Sequence, residues 1–293
     1  MLLGILNSQA AGGSARIYVL VGSSGTMTTS PDGINFTGRT SGFGSTRITG
    51  VARGDNLYVA AGFSGTITTS SDGITWTSRT SNFGTTNITR IIYGDGVYVA
   101  VGASGKISSS TDSVTWTSRT STFGTTAISS AAYGDGVYVA GGFSGKLASS
   151  TDGVTWTSRS SAFESSIYDM AYGEGLFVFG GAGGALYTSP DGTTWTSRSS
   201  GFGSSDIYGV RFGGGLFVIG GAANKLATSP DGITWTSRSG GFSGSYTYPI
   251  GFGDNLHFIS SSEGSDFKSS PDGITWTSRT SGFDGTSIDA IAY

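Results

Sequence analysis

One seven-residue phrase recurs seven times along this chain. It reads Ser or Thr, then Pro, Ser or Thr, then Asp, then Gly or Ser, then any residue, then Thr or Asn, then Trp or Phe. The aspartates are Asp32, Asp72, Asp112, Asp152, Asp191, Asp231 and Asp272, so successive copies lie 40, 40, 40, 39, 40 and 41 residues apart. A period of that length, filled with strand-type patterning, marks a closed and radially repeated β-architecture, not a string of independent domains. It also separates two kinds of residue. What recurs in every copy is expected to hold the fold, and function is to be sought where the copies differ.

One unit shows how such a repeat folds. Residues Ile88 to Tyr93 alternate like a strand, Gly94-Asp95-Gly96 supplies the positive φ angles of a tight hairpin, and Val97 to Gly102 returns. Ala103-Ser104-Gly105 leads to a third strand from Lys106 to Ser110, and the turn at Asp112 leads to a fourth from Val114 to Arg119. No segment carries a helical period. Four short antiparallel strands in each of seven units predict an all-β chain, a seven-bladed β-propeller of four-stranded blades. The ends agree. Arg16 to Gly22 matches a second strand and Ser287 to Tyr293 a first strand, so the C-terminal strand is expected to join the N-terminal blade and close the ring. The domain reading is a leader over residues 1–14, a possible anchor, followed by a propeller over 15–293.

Composition narrows the function. Charged residues make up only 12% of the chain, yet aromatics also reach 12% at fixed positions, which argues for a packed core over disorder. A net charge of −3 with no basic tail gives no electrostatic case for nucleic acid. No stretch approaches the ~18 apolar residues of a membrane span, so membrane insertion is not expected. Cysteine is absent and His257 is the single histidine, which leaves little material for a metal centre or a His-based triad. No zinc-ligand spacing, phosphate loop or nucleophile elbow is present, and neither a cofactor nor a catalytic or metal-binding residue is assigned.

The recurrent turn, as in Ser70-Ser71-Asp72-Gly73-Ile74-Thr75-Trp76 and Ser270-Pro271-Asp272-Gly273-Ile274-Thr275-Trp276, resembles the Asp-box of the bacterial neuraminidase repeats, although it is one residue shorter between Asp and Gly. In that family the hairpin joins the third and fourth strands on the outer part of a blade, which implies a structural role and not sialidase activity. The residue types imply the same: Asp and the preceding hydroxyl satisfy turn amides, and Trp76, Trp116, Trp156, Trp195, Trp235 and Trp276 offer plates to pack between blades. The arginine column (Arg39, Arg79, Arg119, Arg159, Arg198, Arg238, Arg279) is expected to bond loop carbonyls or cross-blade carboxylates. The phenylalanine column (Phe43, Phe83, Phe123, Phe163, Phe202, Phe242, Phe283) is expected to plug the inter-blade loop.

Divergence concentrates at the second residue of the first strand, which runs Thr49, Thr89, Ser129, Tyr168, Tyr208, Tyr248, Asp289 around the ring. Three adjacent tyrosines at the face of the fourth-to-first strand loops suit stacking on sugar rings with hydroxyls left to hydrogen-bond. The opposing reading is that they fill the channel mouth or pack on one another. In the next column Arg90 and Asp169 are candidate polar members of the same mouth, with a solvated rim as the plainer role. The seventh unit diverges most, with Tyr246, His257 in an aromatic position, and an extra residue around Glu263.

The phrases Thr-Trp-Thr-Ser-Arg-Thr-Ser and Tyr-Gly-Asp-Gly-Val-Tyr-Val-Ala are similar to propeller repeats of bacteriophage tail-fibre and other virion proteins. Leu3 to Ala11 resembles the start of phage structural proteins that dock by their first residues. That likeness implies a non-enzymatic virion protein (tail fibre or other particle appendage), joined to other virion proteins through its leader and binding a host-surface polysaccharide or other receptor. The alternatives are a free lectin-like adhesin and a purely structural decoration or scaffold protein. A glycosidase is disfavoured, because no axial acid pair with an arginine cluster is legible.

Overall fold

The computed structural model describes residues 16–293 apart from 56, 245, 262–265 and 284, so the expected leader and Glu263 lie outside the described residues. Seven four-stranded antiparallel sheets form the blades of a β-propeller. The first strand of each blade lines the axis: Ile48–Arg53, Ile88–Gly94, Ile128–Gly134, Ile167–Gly173, Ile207–Gly213, Thr247–Gly253 and Ile288–Ala292. We number the blades one to seven along the chain, blade one being the composite at the termini.

The third blade shows why the strands fall where they do. Asp95 and Gly96 turn the first hairpin with φ of 42° and 77°, the doubly positive pattern that matches strand twist. Its second strand, Val97–Gly102, is buried along nearly its whole length because a neighbouring blade covers each face. That burial on both sides explains the unbroken apolar run. Ser104 (φ 55°) and Gly105 (φ 65°) then make a single 3₁₀ turn into Ile107–Ser110. The outer strand is Thr117–Arg119, shorter than the Val114–Arg119 expected from sequence. The reason is local: the amides of Val114 and Thr115 donate to the Asp112 carboxylate at 2.8 and 2.7 Å, so they are engaged in the turn.

The ring closes as the ends predict. Tyr18–Gly22, Met27–Ser30 and Thr37–Arg39 are completed by Ile288–Ala292, which pairs antiparallel with Tyr18–Gly22 in the register Val19↔Ala292, Leu20↔Ile291, Val21↔Ala290. Tyr18 and Tyr293 pack with ring centroids 4.5 Å apart across that joint.

Successive blades interlock by glycine against aromatic. A Cβ on Gly94 would lie 2.1 Å from the ring of Tyr133, one on Gly134 2.0 Å from Tyr172, and one on Gly173 2.1 Å from Phe212. Each of these first strands therefore ends on a glycine because the next blade's aromatic lies flat upon it. At the same level, Tyr18, Tyr58 and Tyr98 donate their hydroxyls to the carbonyls of Gly253, Ile17 and Leu57 in the preceding blade, at 2.6, 2.9 and 2.8 Å. These contacts tie each blade to the next around the axial channel.

Candidate ligand site at the axial mouth

The repeated columns are structural. In the second blade, Asp72 Oδ1 accepts the amides of Ile74 and Thr75, both at 2.8 Å, and the hydroxyl of Ser70, also at 2.8 Å; Ser70 Oγ accepts the amide of Gly73 at 2.8 Å. The amide pair on the carboxylate recurs at Asp32, Asp112, Asp152, Asp191, Asp231 and Asp272. These donors hold the Asp112, Asp152 and Asp231 carboxyls down at about 2, the amide three residues on contributing most. Trp76 packs among Val19 and Val21 of one blade and Tyr58 of the next, and Trp116 likewise lies between blades. The indoles of Trp76, Trp116 and Trp235 donate within the turn, to the carbonyls of Gly73, Ser113 and Gly232.

The arginine column differs from expectation. Each Nε donates to a side-chain hydroxyl on the third strand of its own blade, as Arg39 to Thr29 and Arg119 to Ser109 at 2.8 Å, and not to loop carbonyls or cross-blade carboxylates. The hydroxyl lies two residues along the paired strand from the arginine's own partner, within easy reach of a long side chain. Phe83, Phe123 and Phe202 are fully buried between blades, as expected of a plug.

The divergent column coincides with a β-bulge. Register jumps across Thr49, Thr89, Ser129, Tyr168, Tyr208 and Asp289, each an extra residue that the second strand does not match. A bulge re-aims the side chain it carries. In three blades that side chain is a short hydroxyl that staples two blades. Thr49 Oγ1 is 2.7 Å from the carbonyl of Ile88, Thr89 Oγ1 2.6 Å from that of Ile128, and Ser129 Oγ 2.5 Å from that of Ile167. In the seventh blade the bulge has moved to Ile250, next to Pro249, which has no amide to give a ladder. Tyr248 is there a regular paired residue opposite Ser260.

Tyr168 and Tyr208 replace the staple in the fifth and sixth blades and stack with Tyr248 along the mouth, while the seventh blade keeps a hydroxyl, Ser260 Oγ, 3.5 Å from the carbonyl of Ile288. Ring centroids are 5.3 Å apart for Tyr168 and Tyr208, 5.7 Å for Tyr208 and Tyr248, and 5.4 Å for Tyr208 and Tyr246. All four are half-buried, so they pack on one another while still presenting surface. The Tyr208 hydroxyl donates to Asp206 Oδ2 at 3.2 Å. Burial pushes its pKa up to about 12, with the Asp206 bond adding to the shift, so the phenol stays protonated. Beside Tyr248, on the next blades, Arg47 grips Asp289 through two hydrogen bonds, Nε to Oδ2 at 2.8 Å and Nη2 to Oδ1.

These groups surround a cavity of about 340 Å³, lined by Tyr168, Tyr208, Tyr248, Arg90, Asp169 and Arg211 among others. The structure thus brings together all five residues singled out from sequence, and corrects the role of two. Arg90 and Asp169 form the floor of the cavity and not a solvated rim. The Asp169 side chain is 7% exposed and those of Arg90 and Arg211 are 16% and 15% exposed. Asp169 Oδ1 accepts Arg90 Nη2 and the Ser130 hydroxyl, both at 2.8 Å, while Oδ2 accepts the Val210 amide at 3.1 Å and Arg211 Nη1. Burial alone would raise this carboxyl, but Arg211, Arg90, the Val210 amide and the Ser130 hydroxyl together hold it below the usual carboxylate range. Burial lowers Arg90 to about 10, with repulsion from Arg211 adding to the effect and Asp169 opposing it.

Arg211 is the member that sequence reasoning missed. Its column otherwise holds Ala52, Ile92, Ala132, Ala171, Gly251 and Ala292, so one arginine in an otherwise uncharged column was the available signal. Arg90 and Arg211 also line a second cavity below them, about 300 Å³, whose other side chains are mainly apolar and include Ile91, Met170 and Phe252. The charged cluster therefore stands between the two cavities, its arginines lining both. His257 belongs to neither. It occupies the column of Tyr18, Tyr58, Tyr98 and Tyr138, is buried against Phe252 with ring centroids 4.7 Å apart, and is pushed down to about 4 by that burial. Among the described residues no group of three or more His, Cys, Asp or Glu is arranged to hold a metal.

No protein-family model matches the chain, and no curated protein matches it. Solved structures share its architecture. YCF48 bound to D1 peptide is 17% identical with a TM-score of 0.64, covering 84% of this chain and 85% of that one. YCF48 from Cyanidioschyzon merolae is 18% identical with a TM-score of 0.67, covering 85% and 90%. Virginiamycin B lyase from Staphylococcus aureus is 11% identical with a TM-score of 0.71, covering 80% and 84%. At such identities the likeness is one of fold. These neighbours include both an enzyme and a protein captured with a peptide.

Proposed function

We propose that this chain is a non-enzymatic recognition module of a bacteriophage particle, and that it binds a host-surface glycan at the upper mouth of its ring. The observation that carries the reading is the tyrosine arc Tyr168, Tyr208, Tyr248 over the cavity. Tyr168 and Tyr208 stand at the bulge where three other blades carry a hydroxyl staple, and Tyr248 adjoins them, so aromatic surface is gathered at one place. Stacked, half-buried phenols offer planar faces to a sugar ring with little rotamer entropy left to lose. The cavity is large enough for a small ligand or one residue of a larger one.

The non-enzymatic part rests on the floor. Asp169 accepts two guanidinium groups, a hydroxyl and an amide, and is a poor proton acceptor in that state, while His257 is buried away from the mouth. The virion context rests on the likeness of the repeat phrases and of Leu3 to Ala11 to phage structural proteins. A peptide ligand is the second reading, favoured by the propeller neighbour captured with a peptide.

Purified protein titrated against a panel of bacterial surface polysaccharides tests the proposal, beside a folded Tyr168→Ala/Tyr208→Ala/Tyr248→Ala variant. Saturable binding that the variant loses is the expected result. Binding that survives would move the site elsewhere, and no binding to any polysaccharide would remove the glycan reading.

A further inference from the structure

Two arginines and one aspartate meet on the axis, so the cavity floor carries one positive charge in excess. The rim pair Arg47–Asp289 adds none. The hydrogen bonds on the floor are unevenly shared. Asp169 uses both oxygens, twice each. Arg211 spends Nε on the carbonyl of Ile250 and Nη1 on Asp169 and Val210, while Arg90 spends Nη2 on Asp169. Arg90 Nε and Nη1 and Arg211 Nη2 make no hydrogen bond to the described residues, and none of the three is sealed from solvent without a partner. Above them, the Tyr208 hydroxyl is already donated to Asp206, whose carboxylate lies outside the cavity lining.

We propose that the upper cavity is an anion site, in which Arg90 and Arg211 seat a carboxylate of the ligand while the tyrosine arc packs against the body that carries it. This deepens the glycan reading and rests on it: the glycan would be an acidic one, with a uronate-type sugar bound by its carboxylate. The chemistry follows from the inventory. Guanidinium N–H groups recognise planar oxyanions, and a mostly desolvated pair with one shared counter-ion is balanced by one further negative charge. Asp169 sets the occupancy. It holds both guanidinium groups in place and cancels one charge, so the floor takes a single monovalent group and repels a second.

The test uses acetate as a probe, at constant ionic strength, followed by the Arg Nε–H resonances of the folded protein. Saturable movement of the Arg90 or Arg211 signal, with Arg39 and Arg119 unmoved, is expected. Arg90→Gln should weaken acetate by at least about tenfold, and Asp169→Asn should tighten it by a similar factor, since removing the shared carboxylate leaves two uncompensated cations. The opposite signs of these two effects guard against a variant that merely loosens the fold, because loosening would weaken both. No saturable shift, or equal movement of the outer arginines, would overturn the anion site. A second arm separates this from the glycan reading: any acidic polysaccharide that binds is compared with its carboxyl-reduced form. Loss on reduction supports the inference, whereas equal tyrosine-dependent binding of both forms refutes it and leaves the glycan site standing.

Discussion

The hydroxyl of Thr89 lies 2.6 Å from the carbonyl of Ile128 in the next blade and 3.1 Å from that of Val101 in its own, so one proton at a β-bulge ties two blades together beside the axis. Thr89→Val keeps the shape and removes that proton. It is expected to cost about 1 kcal/mol, readable as a lower denaturation midpoint with an unchanged m-value.

The same bulge in the fifth blade carries Tyr168. Tyr168→Thr should restore the staple that this blade lacks, leaving stability unchanged or raising it by about 1 kcal/mol, while removing one end of the tyrosine arc. Paired thermal melts and polysaccharide titrations check it. A clear loss of stability would mean that the stack, and not ligand contact, is what Tyr168 provides.

Ser70 is buried and serves both halves of its turn, donating to Asp72 and accepting from the Gly73 amide. Ser70→Ala leaves that amide without its partner and should cost about 1–2 kcal/mol. Because seven equivalent turns are spread around the rim, combining the change in two distant blades is expected to be additive in chemical denaturation.

Gly134→Ala places a methyl 2.0 Å from the Tyr172 ring, at atoms close to its attachment and not at a flexible tip. The cost is expected at about 1–3 kcal/mol or more. Gly134→Ala combined with Tyr172→Ala should recover part of it, which a double-mutant cycle measures.

Acid sensitivity should come in two steps. His257 has its pKa lowered from an ordinary 6.5 to about 4, so its neutral burial favours the fold fully above pH 6.5. That contribution is lost as pH falls toward 4, on the order of 3 kcal/mol, because the unfolded chain takes up the proton first. The turn carboxylates act lower. Asp112, Asp152 and Asp231, held at about 2, contribute stability above their ordinary 3.8 that disappears as pH falls through 2. His257→Phe, which copies the residue of the fifth and sixth blades, should erase the upper step and leave the lower one.

The fold was legible because its determinants are local and repeated seven times. An Asp two residues after a Ser means the same thing in all seven blades, and a Gly-containing hairpin and a tryptophan plate mean the same in the six that are continuous in sequence. The site was legible only as a place. The column holding Tyr168, Tyr208 and Tyr248 stood out by its departures, but its meaning depends on a bulge that no single strand reveals. Arg90 and Asp169 read as rim residues because their partners sit on other blades: Arg211 is 42 residues from Asp169, and Arg90 is 79. Such pairings are set by the curvature of the whole ring. The shift of the bulge to Ile250 was hidden for a related reason, since register is a property of two strands together.

Closure of the first blade by Ile288–Ala292 has a consequence in time. During synthesis, Tyr18–Gly22 emerges before any other strand described here, and its axial partner emerges after all of them. Six blades can assemble in order from neighbouring segments. The first must wait, with the edge of Tyr18–Gly22 unpaired, until residue 292 has left the ribosome, because a contact that spans the chain cannot form earlier. Translation that halts a few residues short therefore yields a nearly complete ring whose one open seam is a bare β-edge, a species prone to join its own kind.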